Sequence, residues 1–209
     1  MSEHATTTQT AHGTGHAAGH GTSMGVDSRK MGVWAFIGSE TLFFAALIVT
    51  YLIYKPVNAA RYPEQLPHEK LGIQFTAVLA AILLASSVTM VLALAAARRG
   101  DKRQFTLWQL STIGLGLCFL GGQAYEFTNL VFNEGVTLSS SLLGTTFFVL
   151  TGFHGTHVAI SATWLLSVFL KVRAYPDSPE NLMDIELGGL YWHFVDLVWV
   201  AIFTLIYLL

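Results

Sequence analysis

The chain contains five long apolar runs, and each is long enough to cross the hydrocarbon core of a membrane as a helix. A core about 30 Å thick needs about 20 helical residues. Lipid satisfies no backbone polar groups, and the runs lack the alternation of a barrel strand, so they predict helices. The sequence therefore predicts an all-α fold, a polytopic membrane bundle of five transmembrane helices at approximately residues 31–54, 73–97, 105–132, 139–172 and 187–209.

Charged residues are scarce in this chain. They make up 11% of the 209 residues, whereas a soluble domain carries about a quarter. The net charge of −2 provides no basic face, so nucleic acid is not an expected partner. Cys118 is the single cysteine, so neither a disulfide nor a thiolate metal site can be built within the chain.

The first 28 residues differ in composition from the rest. They are mostly Gly, Ala, Ser, Thr and His, and they offer little apolar surface to offset the entropy of ordering them. We expect a disordered tail over residues 1–28 and a transmembrane domain over 29–209. His12, His16 and His20 recur at every fourth position and could share a metal if the segment became helical, but the interspersed glycines argue against a stable helix.

The basic residues predict the orientation of the bundle. If the N-terminus is cytoplasmic, eight of the 11 Lys and Arg residues lie on that side, and the opposite side receives Lys55, Arg61 and Lys70. The positive-inside bias therefore predicts a cytoplasmic N-terminus and a C-terminus outside. The eight are Arg29, Lys30, Arg98, Arg99, Lys102, Arg103, Lys171 and Arg173. Among the aromatic residues, Trp34 and Trp199 lie deep enough in their runs to be packing residues.

Six ionisable side chains lie inside the apolar runs. A charged side chain at the centre of a bilayer costs at least about 2.5 to 3.5 kcal/mol. These residues must therefore be neutral, or face water, other helices or each other. Each is a candidate functional residue, and the six are Glu40, Glu126, His154, His157, His193 and Asp196.

Glu40 lies nine residues into the first run, which places it about 14 Å along the helix, in the cytoplasmic half of the membrane on the predicted orientation. A neutral carboxylic acid there could exchange protons with a neighbouring path. Alternatively, it could form a hydrogen bond that holds two helices together. The single residue does not decide between these roles.

Each of the other five has a polar neighbour three residues away on the same helix. His154 and His157 stand three residues apart, as do His193 and Asp196, so each pair shares one helical face. Glu126 stands in the same relation to Gln123. Two histidines and a carboxylate could ligate a metal, and a histidine could ligate haem. The histidines lack a compact ligand motif, however, so we favour carboxylate and imidazole groups that pair across helices, with no metal.

Four segments of the chain resemble the subunit III family of haem-copper respiratory oxidases. They fall in four of the five runs and follow the order of the family. The segments around the paired histidines and around His193 are the most specific, whereas a Ser-Glu pair in an apolar helix is common. The matching segments are GVWAFIGSETLFF from Gly32, GGQAYEF from Gly121, FFVLTGFHGTHV from Phe147 and YWHFVDLVW from Tyr191.

The resemblance implies an accessory subunit in the bacterial plasma membrane, beside subunits I and II of an oxidase that reduces dioxygen and pumps protons. Haem and copper would lie in those partners, and this chain would hold no catalytic residue, metal or redox cofactor. Glu40 aligns with an acid of the family near subunit I, where it would support proton uptake. The other five ionisable residues align with an interior polar network beside a cleft that binds phospholipid. The seven-helix family form has two further helices, and without them the resemblance does not define one wall of that cleft. The resemblance also implies other respiratory-chain complexes as partners.

Two other functions fit some of these residues. A subunit of a quinol oxidase or a nitric oxide reductase would share the motifs and differ in its partners. A free-standing proton or ion transporter could use the same acids and histidines, but it should be active when reconstituted alone. The four matching segments favour the oxidase subunit.

Overall fold

The computed structural model describes residues 27–61, 72–133 and 142–208, so residues 1–26 of the predicted tail, with His12, His16 and His20, lie outside the described residues. Five helices fill these ranges and are long and apolar enough to cross a membrane. This confirms the predicted fold class, and the orientation of the termini stays a prediction. The helices are α1 (Ser28–Arg61), α2 (Ile73–Arg98), α3 (Lys102–Phe132), α4 (Leu142–Ala174) and α5 (Asn181–Phe203), and α5 continues into a π-helical turn at Thr204–Leu208.

Helix α5 lies at the centre of the molecule. It packs against α1, α2 and α4, while α3 packs against α2 and α4. Helices α2 to α5 thus form a four-helix bundle, and α1 packs on the outer surface of this bundle against α4 and α5. Tyr191, Trp192 and Trp199 of α5 are almost completely buried. Because α5 is surrounded by the other helices, most of its polar groups meet another helix rather than lipid.

Helix α1 buries only a narrow stripe of its surface. Ile37, Phe44 and Tyr51 recur at every seventh position and face the bundle. Glu40 lies along the same stripe and is partly buried. The rest of its surface is open, with Leu42 74% exposed and Trp34 58% exposed. The expectation that Trp34 packs inside the protein is therefore wrong, because an all-apolar helix in a membrane has no polar face to reveal its orientation.

Glycines permit close contacts at several helix crossings. A Cβ atom at Gly116 would overlap the indole ring of Trp192, and one at Gly122 would overlap the side chain of Leu79. Gly114 and Gly121 face outward, with no atom within 4 Å of an added Cβ. Only some of the glycines of α3 therefore serve the close packing that small residues allow between membrane helices.

Ion pairs join the helices at the end of the bundle where α5 begins. Glu186 accepts from both Lys30 of α1 and Arg98 of α2, each at 2.8 Å. Asp184 similarly pairs with Arg29 of α1 and Lys171 of α4. Acidic residues near a helix N-terminus also suit the helix dipole. Two carboxylates of α5 thus tie three other helices together at this end.

Candidate functional site

Glu40 and His157 meet between α1 and α4. Oε2 of Glu40 lies 3.0 Å from Nε2 of His157. The two side chains are 19% and 13% exposed, respectively. The pair therefore lies largely within the protein, on the inward stripe of α1, and joins two residues that are 117 positions apart in sequence.

The second ring nitrogen of His157 fixes where its proton lies. Nδ1 lies 2.7 Å from the backbone carbonyl oxygen of Phe153. A carbonyl oxygen can only accept a hydrogen bond, so Nδ1 must donate and carries a hydrogen. Nε2 then either accepts from a protonated Glu40 or, in an imidazolium, donates to the carboxylate. In both arrangements Glu40 and His157 share one proton and are neutral as a pair, which suits a membrane interior.

Aromatic rings enclose this pair. The ring of Phe44 lies edge-on to His157, with centroids 4.9 Å apart. Phe43 lies 5.3 Å from the ring of Phe153 on the adjacent turn of α4. The rings surround Glu40 and His157 with apolar groups, and the low local dielectric strengthens the hydrogen bond between them.

Asp196 and His193 of α5 meet a serine of α2. Ser87 Oγ lies 2.5 Å from Oδ2 of Asp196 and 3.2 Å from Nδ1 of His193. The hydroxyl group therefore joins the acid and the imidazole, which do not bond directly. Oδ1 of Asp196 is buried without a hydrogen-bond partner among the residues that the structure describes. Ser87 was not expected from the sequence, because a serine in an apolar run carries no signal of its own.

Glu126 and Gln123 bond to different neighbours of α3. Thr76 of α2 donates to Oε1 of Glu126 at 2.7 Å. Gln123 Nε2 donates to the carbonyl oxygen of Thr151 on α4 at 2.9 Å. A Cβ atom at Gly155 would lie 3.0 Å from Oε1 of Gln123, so the glycine gives the amide room. These two polar residues connect α3 to helices on both sides.

His154 is buried among aromatic rings. It stacks on Trp199 with centroids 4.8 Å apart, and it meets the edge of Phe119 at 5.8 Å. Neither of its ring nitrogens bonds to another described residue. His157 therefore contacts a carboxylate directly, and His193 is connected to one through Ser87. His154 lies in an aromatic environment instead.

The six ionisable residues occupy several separate places in the bundle. Within the described ranges, no group of three or more His, Cys, Asp or Glu side chains is arranged to hold a metal ion. Chemically, the two acid-imidazole groups can hold and exchange protons, and the contacts of Glu126 and Gln123 can join helices.

Comparison with known proteins gives consistent matches across this chain. The profile of the family described as "Cytochrome c oxidase subunit III" matches residues 8–209. Quinol oxidase subunit 3 of Bacillus subtilis is 35% identical over 179 residues, which are 86% of each chain. Cytochrome c oxidase subunit 3 of Alkalihalophilus pseudofirmus is 35% identical over 182 residues, 87% of each chain. The protein of the same name from Synechocystis is 38% identical over 191 residues, 91% of this chain and 79% of the relative.

Proposed function

Since the chain belongs to the cytochrome c oxidase subunit III family, we propose that its Glu40–His157 pair supports proton supply to the catalytic subunit I of a haem-copper oxidase. The chain is a multi-pass membrane protein and an accessory subunit III of such an oxidase, so the predicted family is confirmed. It therefore works in a complex with other oxidase subunits. The proposal concerns what its interior residues do there.

The contact between Oε2 of Glu40 and Nε2 of His157 carries this proposal. One proton is shared within a neutral pair, so it can move between the two groups without leaving a net charge in the membrane. Helix α1 presents a largely uncovered surface, and Glu40 itself retains some exposure. A partner helix on α1 would therefore lie near the pair.

Membership of the family supports a further part of the proposal, which is how the subunits divide the chemistry. Haem and copper lie in subunits I and II, and this chain contributes no redox or catalytic centre. Relatives at 35% identity are named both quinol oxidase and cytochrome c oxidase subunits. The proposed role of Glu40 applies with either electron donor, because electrons enter through another subunit. We place the complex in a bacterial plasma membrane, because its relatives are bacterial, and we expect phospholipid in a cleft beside the interior polar residues.

Glu40→Gln in the assembled oxidase tests the proposal. The amide keeps the size of the side chain and can donate to His157, but it cannot give up a proton to a path. We expect slower proton uptake and a shorter active lifetime over many turnovers, with haem content unchanged. Thr50→Ala is the matched control, because Thr50 is exposed on α1 and its hydroxyl bonds only within its own helix.

A second variant separates proton handling from simple packing. His157→Phe should reproduce the defect of Glu40→Gln, and the double variant should be no worse than either, because both changes disable the same pair. Wild-type proton uptake and lifetime in Glu40→Gln would leave the residue as a structural contact.

A further inference from the structure

A cavity of about 440 Å³ lies at the end of the bundle where α2 turns into α3 and α4 turns into α5. This volume is within the range of small-molecule sites. Its interior is apolar and includes side chains from all four helices of the bundle. Those side chains are Ala97, Phe105, Phe169, Val172 and Ile185.

Two basic residues, Lys102 and Arg173, border this cavity. Arg173 makes neither a hydrogen bond nor an ion pair with any residue in the described part of the chain. Lys102 has a distant ion pair, at 3.8 Å, with Asp177, whose side chain is 94% exposed, and such surface pairs contribute little. Asp101 also lines the cavity, but it accepts the backbone N–H groups of Arg103 and Gln104 at the start of α3. The cavity therefore has two cations available to a ligand.

An amide completes the polar side of the cavity. Asn181 lines it and is 7% exposed. Its Nδ2 donates to the carbonyl oxygen of Tyr175 at 2.7 Å, while Oδ1 has no hydrogen-bond partner among the described residues. An unpaired acceptor in the same cavity as two cations suits a ligand that carries hydroxyl groups beside its negative charge.

The position of the cavity further restricts which ligands it could bind. Its lining residues come from the ends of the membrane spans, where hydrocarbon gives way to lipid headgroups. Basic pockets between membrane helices at this depth bind anionic headgroups. We propose that the cavity binds an anionic phospholipid, with part of an acyl chain against Phe105 and Phe169 and the phosphate between Lys102 and Arg173.

Photocrosslinking of the assembled oxidase tests this site. The probes are phosphatidylglycerol and phosphatidylcholine with the same diazirine-bearing acyl chain, and peptide mass spectrometry locates the adducts. We expect phosphatidylglycerol adducts within residues 97–106 and 169–185, and few from phosphatidylcholine. The double variant Lys102→Gln/Arg173→Gln should weaken binding about thirtyfold. Arg99→Gln/Arg103→Gln removes equal charge from the same turn without touching the cavity lining, and it should behave as wild type.

A second variant keeps the cations and fills the apolar interior. Thr106 lines the cavity, so Thr106→Phe should also reduce the adducts while the haem content of the complex shows that assembly is intact. Equal labelling by the two lipids, or undiminished labelling of the Lys102→Gln/Arg173→Gln variant, would overturn the proposal. Loss of the adducts in millimolar inorganic phosphate would assign the site to a free anion and would also overturn it.

Discussion

The indole ring of Trp192 packs directly against Gly116, and it leaves no room on α3 for even a methyl group at that position. Trp192 is almost fully buried, and its Nε1 donates to Ser86 of α2 at 3.0 Å. The indole therefore holds α5 against two neighbours at once. Its position is fixed from both sides, so it cannot shift easily to accommodate a larger residue on α3.

Gly116→Ala should destabilise the bundle by about 1 to 3 kcal/mol, because an added Cβ forces Trp192 out of a tightly packed position. The free energy of unfolding in mixed detergent micelles measures the change. Gly114→Ala is the matched control two residues away, where an added Cβ meets no atom within 4 Å. Equal effects of the two substitutions would contradict the packing role of Gly116.

Glu40 and His157 should show a coupling energy of about 0.5 to 3 kcal/mol in a double-mutant cycle, as contacting residues do. The cycle uses Glu40→Leu, which removes the hydrogen bond, together with His157→Phe and the double variant, and the free energy of unfolding is the readout. If the two single effects simply add, the 3.0 Å contact contributes nothing to stability.

Ser87→Ala should cost about 1 to 3 kcal/mol, because it removes the hydroxyl that bonds to a buried Asp196 and leaves that group unsatisfied. The carboxyl infrared band of Asp196 should also shift, and Asp196→Asn identifies that band. Ser167→Ala is the control, since Ser167 bonds to the Thr163 carbonyl of its own helix. An unshifted band in Ser87→Ala would argue against the hydroxyl bridge.

Glu186→Gln should lower stability by about 0.5 to 1 kcal/mol and reduce its dependence on salt, because one carboxylate pairs with both Lys30 and Arg98. Unfolding measured at low and high ionic strength reports the effect. Asp177→Asn removes the 3.8 Å pair with Lys102 at a side chain that is 94% exposed, so it should change neither the stability nor its salt dependence appreciably. A salt dependence that survives in Glu186→Gln would show that these pairs are not its source.

The number of helices follows from the sequence because the length and hydropathy of each run are local properties. Which face of a helix is buried does not follow, since lipid and protein interior are both apolar. Trp34 and Trp199 look alike in their runs, yet the first is 58% exposed and the second 1%. Inward-facing residues become visible only when the helices are assembled.

The polar residues show the same division between local and long-range information. Acids and histidines inside a membrane stand out in the sequence because burying them costs free energy. Glu40 and His157 were therefore both candidates. Their pairing depends on where α1 crosses α4, which no local sequence pattern encodes. Ser87, Glu186 and Asp184 gave no such signal. A serine is cheap to bury, and acids near the end of a run resemble ordinary surface charges.

The packing of α1 against the two helices farthest from it in sequence has a consequence for how the chain is made. Its packing partners are α4 and α5, which emerge from the ribosome long after it. His157 follows Glu40 by 117 residues, and synthesis at about 5 to 20 residues per second puts roughly 6 to 25 seconds between them. During that interval α1 lies in the membrane before α4 and α5 are available to pack against it. Glu40 must then be protonated and uncharged, or it must form a transient contact with another polar group.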